Sequence, residues 1–218
     1  MLDAQEGTRK STDGLAQKMK DEGGEEPTPG QNSVSGASGS MGKASQGLGQ
    51  SRSRQASGDQ QEAIDQLDQA QQKVQDALDQ LKRELQEELL AALEERFLEM
   101  LEKQRGITKE TAAVDAALAG MAGPDRAQKQ KLSELSTGEG DLAGKSDEAL
   151  ELLREEGSTV VFPEIIQGMK KDLVGIGGWL ASTKTDAFVQ SVQKDVEKTL
   201  EDLIEAVRKR QEHRSGGT

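Results

Sequence analysis

Carboxylates are the residues most able to do chemistry in this chain, and they abound. Asp and Glu number 40 against 28 Lys and Arg, a net charge of −12. Glu87–Glu88, Glu94–Glu95 and Glu155–Glu156 could be read as acid/base pairs. General acid–base work needs one carboxyl in a desolvated pocket with a shifted pKa. Adjacent glutamates on a helix point apart and face water, so a solvated surface is the expected reading of all three pairs. With no Cys and one His, His213, thiol catalysis, disulfides and Cys-ligated zinc are excluded. So is a ferritin-like di-metal site, which needs Glu-x-x-His twice. His213 sits beside Arg214 near the end of the chain and reads as tail.

Glycine clusters at Gly138-Glu139-Gly140 and Gly175-Ile176-Gly177-Gly178 do not follow a strand and open a helix, as a dinucleotide loop must. The second lies inside an apolar helical stripe, so close helix–helix approach explains it better. Trp179, beside that stripe, is expected at the edge of a core rather than stacked on a ligand. Ser51-Arg52-Ser53-Arg54 carries two arginines, too few for an RNA-binding tract. A strongly acidic chain also lacks the basic footprint that phosphate binding requires, so no nucleic-acid partner is expected. No catalytic residue, cofactor site or metal site emerges, and the expected role is non-enzymatic.

The elements are helical throughout. Residues 1–57 are rich in Gly and Ser, and are expected to be mostly disordered. Within them Val34, Ala37, Met41, Ala44 and Leu48 step by three and four, giving a marginal helix over 33–49 that forms only against a partner surface. Ile64, Leu67, Gln71, Val74, Leu78, Leu81 and Leu85 follow coiled-coil spacing. Leu89, Leu93, Phe97 and Leu101 then step by four, and Leu90, Leu98 and Met100 widen the apolar face. A narrow seam followed by a broad face predicts two helices in contact early and three or more later. Asp59 is the expected N-cap of this helix and Gly106 its stop, a span of about 70 Å at 1.5 Å per residue.

A short Ala-rich helix is expected from Thr108 to about Met121, and another over 125–156 carrying Leu132, Leu135, Leu142, Ala149 and Leu153, softened near 137–141 by glycines and stopped at Gly157. Residues 158–162 read as an extended connector and Pro163 as the opening of a helix with Ile166, Met169, Leu173, Ile176 and Leu180 on one face. Thr185 is the expected cap of the last helix, striped by Phe188, Val192, Val196, Leu200, Leu203 and Val207; residues 213–218 are expected to fray. The predicted fold is all-α: an elongated antiparallel bundle or coiled coil over 58–212, with 59–105 against 125–156 and the last two helices as a hairpin.

The Gln-rich run Gln60 to Gln75, the Leu-rich stretch Leu85 to Leu101, the phrase Gly157-Ser158-Thr159-Val160-Val161-Phe162-Pro163-Glu164 and the segments Thr185-Asp186-Ala187-Phe188 and Leu203-Ile204-Glu205-Ala206 resemble the C-terminal helical regions of large uncharacterised bacterial coiled-coil proteins. The resemblance covers about residues 33–210. It implies no activity for any position. Some such proteins are membrane-anchored upstream, which would place the chain at the cell envelope rather than in the cytoplasm assumed by default. The longest apolar run, 173–181, is under half the roughly 20 residues of a membrane helix, so no span is expected. The expected function is a coiled-coil scaffold or assembly module binding protein partners, self-association included, through the seam Ile64–Leu85. The alternatives are a helix-in-groove binder that docks Val34, Met41 and Leu48 on a partner, and a carboxylate-based bundle enzyme. A buried, paired carboxylate would favour the enzyme.

Overall fold

The computed structural model describes residues 2–24, 26–156 and 161–215. They form six α-helices and no strand: α1 (Leu2–Gly23), α2 (Gln31–Gly49), α3 (Ser53–Leu118), α4 (Arg126–Glu156), α5 (Val161–Ala181) and α6 (Ala187–Ser215). The chain divides into two compact units, Met1–Glu84 and Leu85–Thr218, with the division inside α3. The sequence placed the boundary near residue 57 instead.

The first unit holds α1, α2 and the N-terminal half of α3. Where disorder was expected, α1 forms a hairpin with α2. Its contacts are small and polar: Thr12 Oγ1 approaches Met41 Sδ at 3.7 Å, and Ser38 donates to Asp13. α1 has almost no apolar stripe to betray it, and among its described side chains Leu15 is a large apolar one left exposed. The helix foreseen at 33–49 is present as α2. The surface it folds against belongs to its own chain: Val34, Ala37, Met41 and Ala44 are buried.

Small residues make that contact. Ala56, Ala63 and Ala70 recur every seven residues on α3, and all three are buried. A Cβ on Gly47 would lie 3.3 Å from that of Ala56, and one on Gly36 3.1 Å from the Gln66 amide. Gly30, at φ 83°, brings its backbone so close to Ala70 that a Cβ would sit 2.8 Å from the Ala70 carbonyl oxygen. Only glycine combines that dihedral with that approach. These pairings run antiparallel, and Lys73 Nζ adds a 3.0 Å bond to Ser33 Oγ.

The second unit is a four-helix bundle of α3 from Leu85, α4, α5 and α6, each antiparallel to the next. α3 does not stop at Gly106. A glycine inside a helix costs about 1 kcal/mol relative to Ala, but Ile107, Thr111 and Val114 beyond it are buried, and that packing carries the helix on to Leu118. One buried stripe per helix reads 90, 93, 97, 100, 104, 107, 111 and 114 on α3; 132, 135, 139, 142, 146, 149 and 153 on α4; 166, 169, 173, 176 and 180 on α5; and 189, 193, 196, 200, 203 and 207 on α6, with Leu101, Thr108, Ala143, Leu150, Gly177 and Ile204 buried beside these stripes. The stripes step by three and four, the signature of left-handed bundle packing.

The glycines at 138, 140 and 144 do not break α4. A Cβ at Gly138 would meet Ile107 Cδ1 at 3.0 Å, so this glycine admits α3 instead. Asp125 and Gln128 cap α4 reciprocally, each backbone N–H donating at 2.8 Å to the other's side chain. Asp186, not Thr185, caps α6, accepting from the N–H groups of Phe188 and Val189. Thr185 is buried and donates to Asp115. Phe188 is off the α6 seam and exposed; Val189 and Gln193 take the inward positions. Val161 and Phe162 belong to the first turn of α5, whereas Gly157 to Val160 and the tail beyond Ser215 lie outside the described residues.

Overpacking tests the alanine contact. Ala63→Leu should lower the stability of the first unit by about 1–3 kcal/mol, read as faster hydrogen exchange of the α2 amides while α5 and α6 keep theirs.

Candidate functional site

Two features stand apart from ordinary core packing, one in each unit. The first is the expected seam on α3. Leu67 is half-buried against Ala37, Met41 and Ala63. The rest is bare: Ile64 is 51% exposed, Val74 38%, Leu78 47% and Leu81 52%, and Gln71 is exposed among them. Leu85, the first residue of the second unit, is exposed too. The residues that pack α3 onto α2 are one position away, at the alanines. Sequence reading passed over these because alanine is a weak apolar signal. The helix is stiffened beside this seam by amide-to-carboxylate bonds four residues apart: Gln61 to Asp65, Gln72 to Asp76, Gln75 to Asp79 and Gln80 to Glu84. Of the residues assigned to a groove-binding helix, Val34 and Met41 are buried and Leu48 is half-buried in the chain's own fold.

The second feature is a polar layer in the bundle core. Gln104 on α3, Glu139 on α4 and Gln193 on α6 are all 0% exposed. Glu139 Oε1 accepts from Gln104 Nε2 at 3.0 Å and from Gln193 Nε2 at 2.9 Å. Gln193 Nε2 also donates to Thr111 Oγ1 at 3.2 Å. On α5 the layer meets Gly177, whose carbonyl accepts from Ser136 Oγ at 2.8 Å. A Cβ there would lie 3.4 Å from the Ser136 carbonyl oxygen and 3.6 Å from Glu139 Cβ, so glycine sets the approach of α5 to α4. Desolvation raises the Glu139 pKa above the ordinary carboxylate value, against the two amide donors and the charge of Lys103, which pull it down.

On the surface, two carboxylates of one groove are paired with cations. Glu94, Glu95, Glu99 and Glu102 line a groove on α3 of ≈ 730 Å³. Glu94 accepts from Arg208 at 2.6 Å, and Lys145 holds Glu99 below the usual carboxylate range by a 2.7 Å bond and its charge. Such groups are bases already committed to cations. Glu87 and Glu88 are exposed, and the side chains of Glu155 and Glu156 lie outside the description. The buried carboxyl has amide partners rather than a second carboxyl. Among the described residues no group of three His, Asp or Glu could hold a metal ion, and no helix is long and apolar enough to cross a membrane. No protein-family model, curated protein or solved structure matches the chain.

Sequence reading missed the layer because it is polar. Its signal was positional: Glu139 falls on the step between Leu135 and Leu142, and Gln193 on the step between Val189 and Val196. Replacing Gln193 by Leu would remove one of the two donors to Glu139. The variant should lose about 1–3 kcal/mol in the second unit, measured by urea denaturation at neutral pH.

Proposed function

We propose that the chain is a non-enzymatic assembly module that pairs with a second copy of itself through the exposed stripe Ile64–Leu81 of α3. The observation that carries this reading is the stripe itself: four large apolar side chains, between 38% and 52% exposed, at coiled-coil spacing on the first-unit part of α3. Burying such residues stabilises an assembly by about 25 cal/mol per Å² of apolar surface.

Charge placement favours a copy of the same chain as the occupant. With Ile64, Gln71 and Leu78 at a and Leu67, Val74 and Leu81 at d, position g is alanine at 63, 70 and 77, and e is Asp68, Gln75 and Lys82. Parallel copies set the g side of one helix towards e of the other; Ala63 and Ala70 on that side are uncharged and already covered by α2, so Asp68, Gln75 and Lys82 meet no g residue of like charge. Asp65, Asp76 and Asp79 fall at b and f, away from the seam. Gln71 then faces Gln71 of the second copy, where one amide can donate and the other accept. A polar a position of this kind fixes register at some cost in stability.

Sedimentation tests the reading. The wild type should be dimeric at tens of micromolar, and Leu78→Lys with Leu81→Lys should weaken pairing by at least about tenfold, or 1.4 kcal/mol, while keeping its helical circular dichroism. Gln71→Leu should raise the melting temperature and broaden the set of oligomers. Because the chain has no Cys, Val74→Cys reports orientation: parallel copies in register form a disulfide-linked dimer on oxidation. A wild type that stays monomeric throughout this range overturns the proposal.

A further inference from the structure

The hydrogen bonds around Glu139 are lopsided. Both amide donors converge on Oε1, and Oε2 is buried with no partner. In the same layer Gln104 Oε1 and Gln193 Oε1 are also buried without partners. Three buried acceptors therefore lack a protein donor. A carboxylate in this setting would carry its charge on two equivalent oxygens, with donors on one alone. A carboxylic acid fits better. Its carbonyl oxygen takes the two amide N–H groups, and its hydroxyl turns Oε2 from an unmet acceptor into a donor. The layer also holds two unmet amide oxygens, on Gln104 and Gln193, and has no spare donor for a charged Oε2 among its hydrogen bonds.

We infer that Glu139 is carried as a neutral acid inside the folded bundle, making the second unit a proton-linked element that is loosened when this proton is lost. Each element packed on Glu139 is consistent with this. α3 presents Gln104, Thr111 and the ammonium of Lys103, which is held at the surface by Asp141 at 2.9 Å. α6 presents Gln193, whose charged neighbours Lys194 and Asp195 are exposed. α5 presents the backbone of Gly177. No cation in this set pairs directly with the carboxyl; the one charge acting on it is Lys103, already engaged elsewhere.

The direction of the pH dependence follows from proton counting. Burial raises the folded pKa of Glu139, so the folded chain keeps this proton to higher pH than the unfolded chain does. Its contribution to stability is complete below the unfolded carboxylate value of about 4.3 and is lost as pH rises through the raised folded value. Carboxylates held low by cations, such as Glu99 and Glu205, act the other way and only at more acid pH.

Carbon-13 carboxyl shifts of labelled wild-type protein, assigned through side-chain couplings, read the protonation state without any substitution. Glu139 should remain in its acid form at a pH where the exposed glutamates have all ionised; titration together with them overturns the inference. Urea midpoints followed through Trp179, the one Trp of the chain, supply the energetic arm. Relative to Glu139→Gln, whose amide mimics the neutral acid, the wild-type midpoint should fall as pH rises above the unfolded carboxylate value of about 4.3 and level off once the folded carboxyl has ionised. Two midpoint curves that run parallel over this range also overturn it.

Discussion

Helices that repeat apolar residues every three and four can slip past one another by a heptad and still bury leucine on leucine. In the second unit the layer of Gln104, Glu139 and Gln193 removes that freedom. Each of the three polar side chains sits at a seam position of its own helix, and the hydrogen bonds close only when all three are level. A shift of one heptad would press an amide or a carboxyl against leucine with no partner, at a cost of about 1–3 kcal/mol for each unmet group. The layer thus aligns α3, α4 and α6, while Gly177 lets α5 close over it. Surface pairs follow the same alignment: Arg96 with Glu148 and Lys145 with Glu99 between α3 and α4, Arg105 with Glu201 between α3 and α6, and Lys170 with Asp147 between α4 and α5. Exposed pairs contribute little stability singly, up to about 1 kcal/mol.

The two units solve the packing problem with different materials. The bundle fills its centre with Phe97, Leu93, Met100, Leu132 and their neighbours, all essentially without solvent contact. The first unit brings backbones together instead, alanine against glycine, so α2 can dock with Val34, Met41 and the half-buried Leu48 as its sizeable apolar groups. This economy leaves Ile64, Val74, Leu78 and Leu81 of α3 unspent. They lie on the flank that the alanine contact does not use, and the assembly reading rests on that division of labour.

What the sequence made legible divides along the same line. Large apolar side chains at regular steps announced α5 from Pro163 onward, most of α4, the antiparallel hairpin of α5 and α6, and the broad face of α3 near Phe97. The all-α class followed from them. Elements that bury small or polar groups were silent. α1 docks through Thr12 and Asp13, and the heptad of Ala56, Ala63 and Ala70 carries no hydropathy contrast. Gly106 looked like a stop because its local cost is visible in sequence and the distant packing that overrides it is not. At the candidate sites, the stripe was readable residue by residue, but not that it would be left open within the chain. The polar layer was visible only as gaps in apolar runs, since pairing Gln104 with Glu139 and Gln193 needs the register of three helices at once.

The alanine–glycine contact has a thermal consequence. The heat-capacity change of unfolding grows with apolar area exposed and is reduced by polar area. When α2 leaves α3 it uncovers methyl groups, serine hydroxyls and backbone more than large hydrocarbon side chains. The stability curve of the first unit is therefore shallow: its enthalpy of unfolding changes slowly with temperature, and its stability in the cold differs less from that near body heat than the bundle's does. One polypeptide then carries two modules with different thermal responses, a leucine-filled bundle with a strongly curved profile and an alanine-lined hairpin with a flat one.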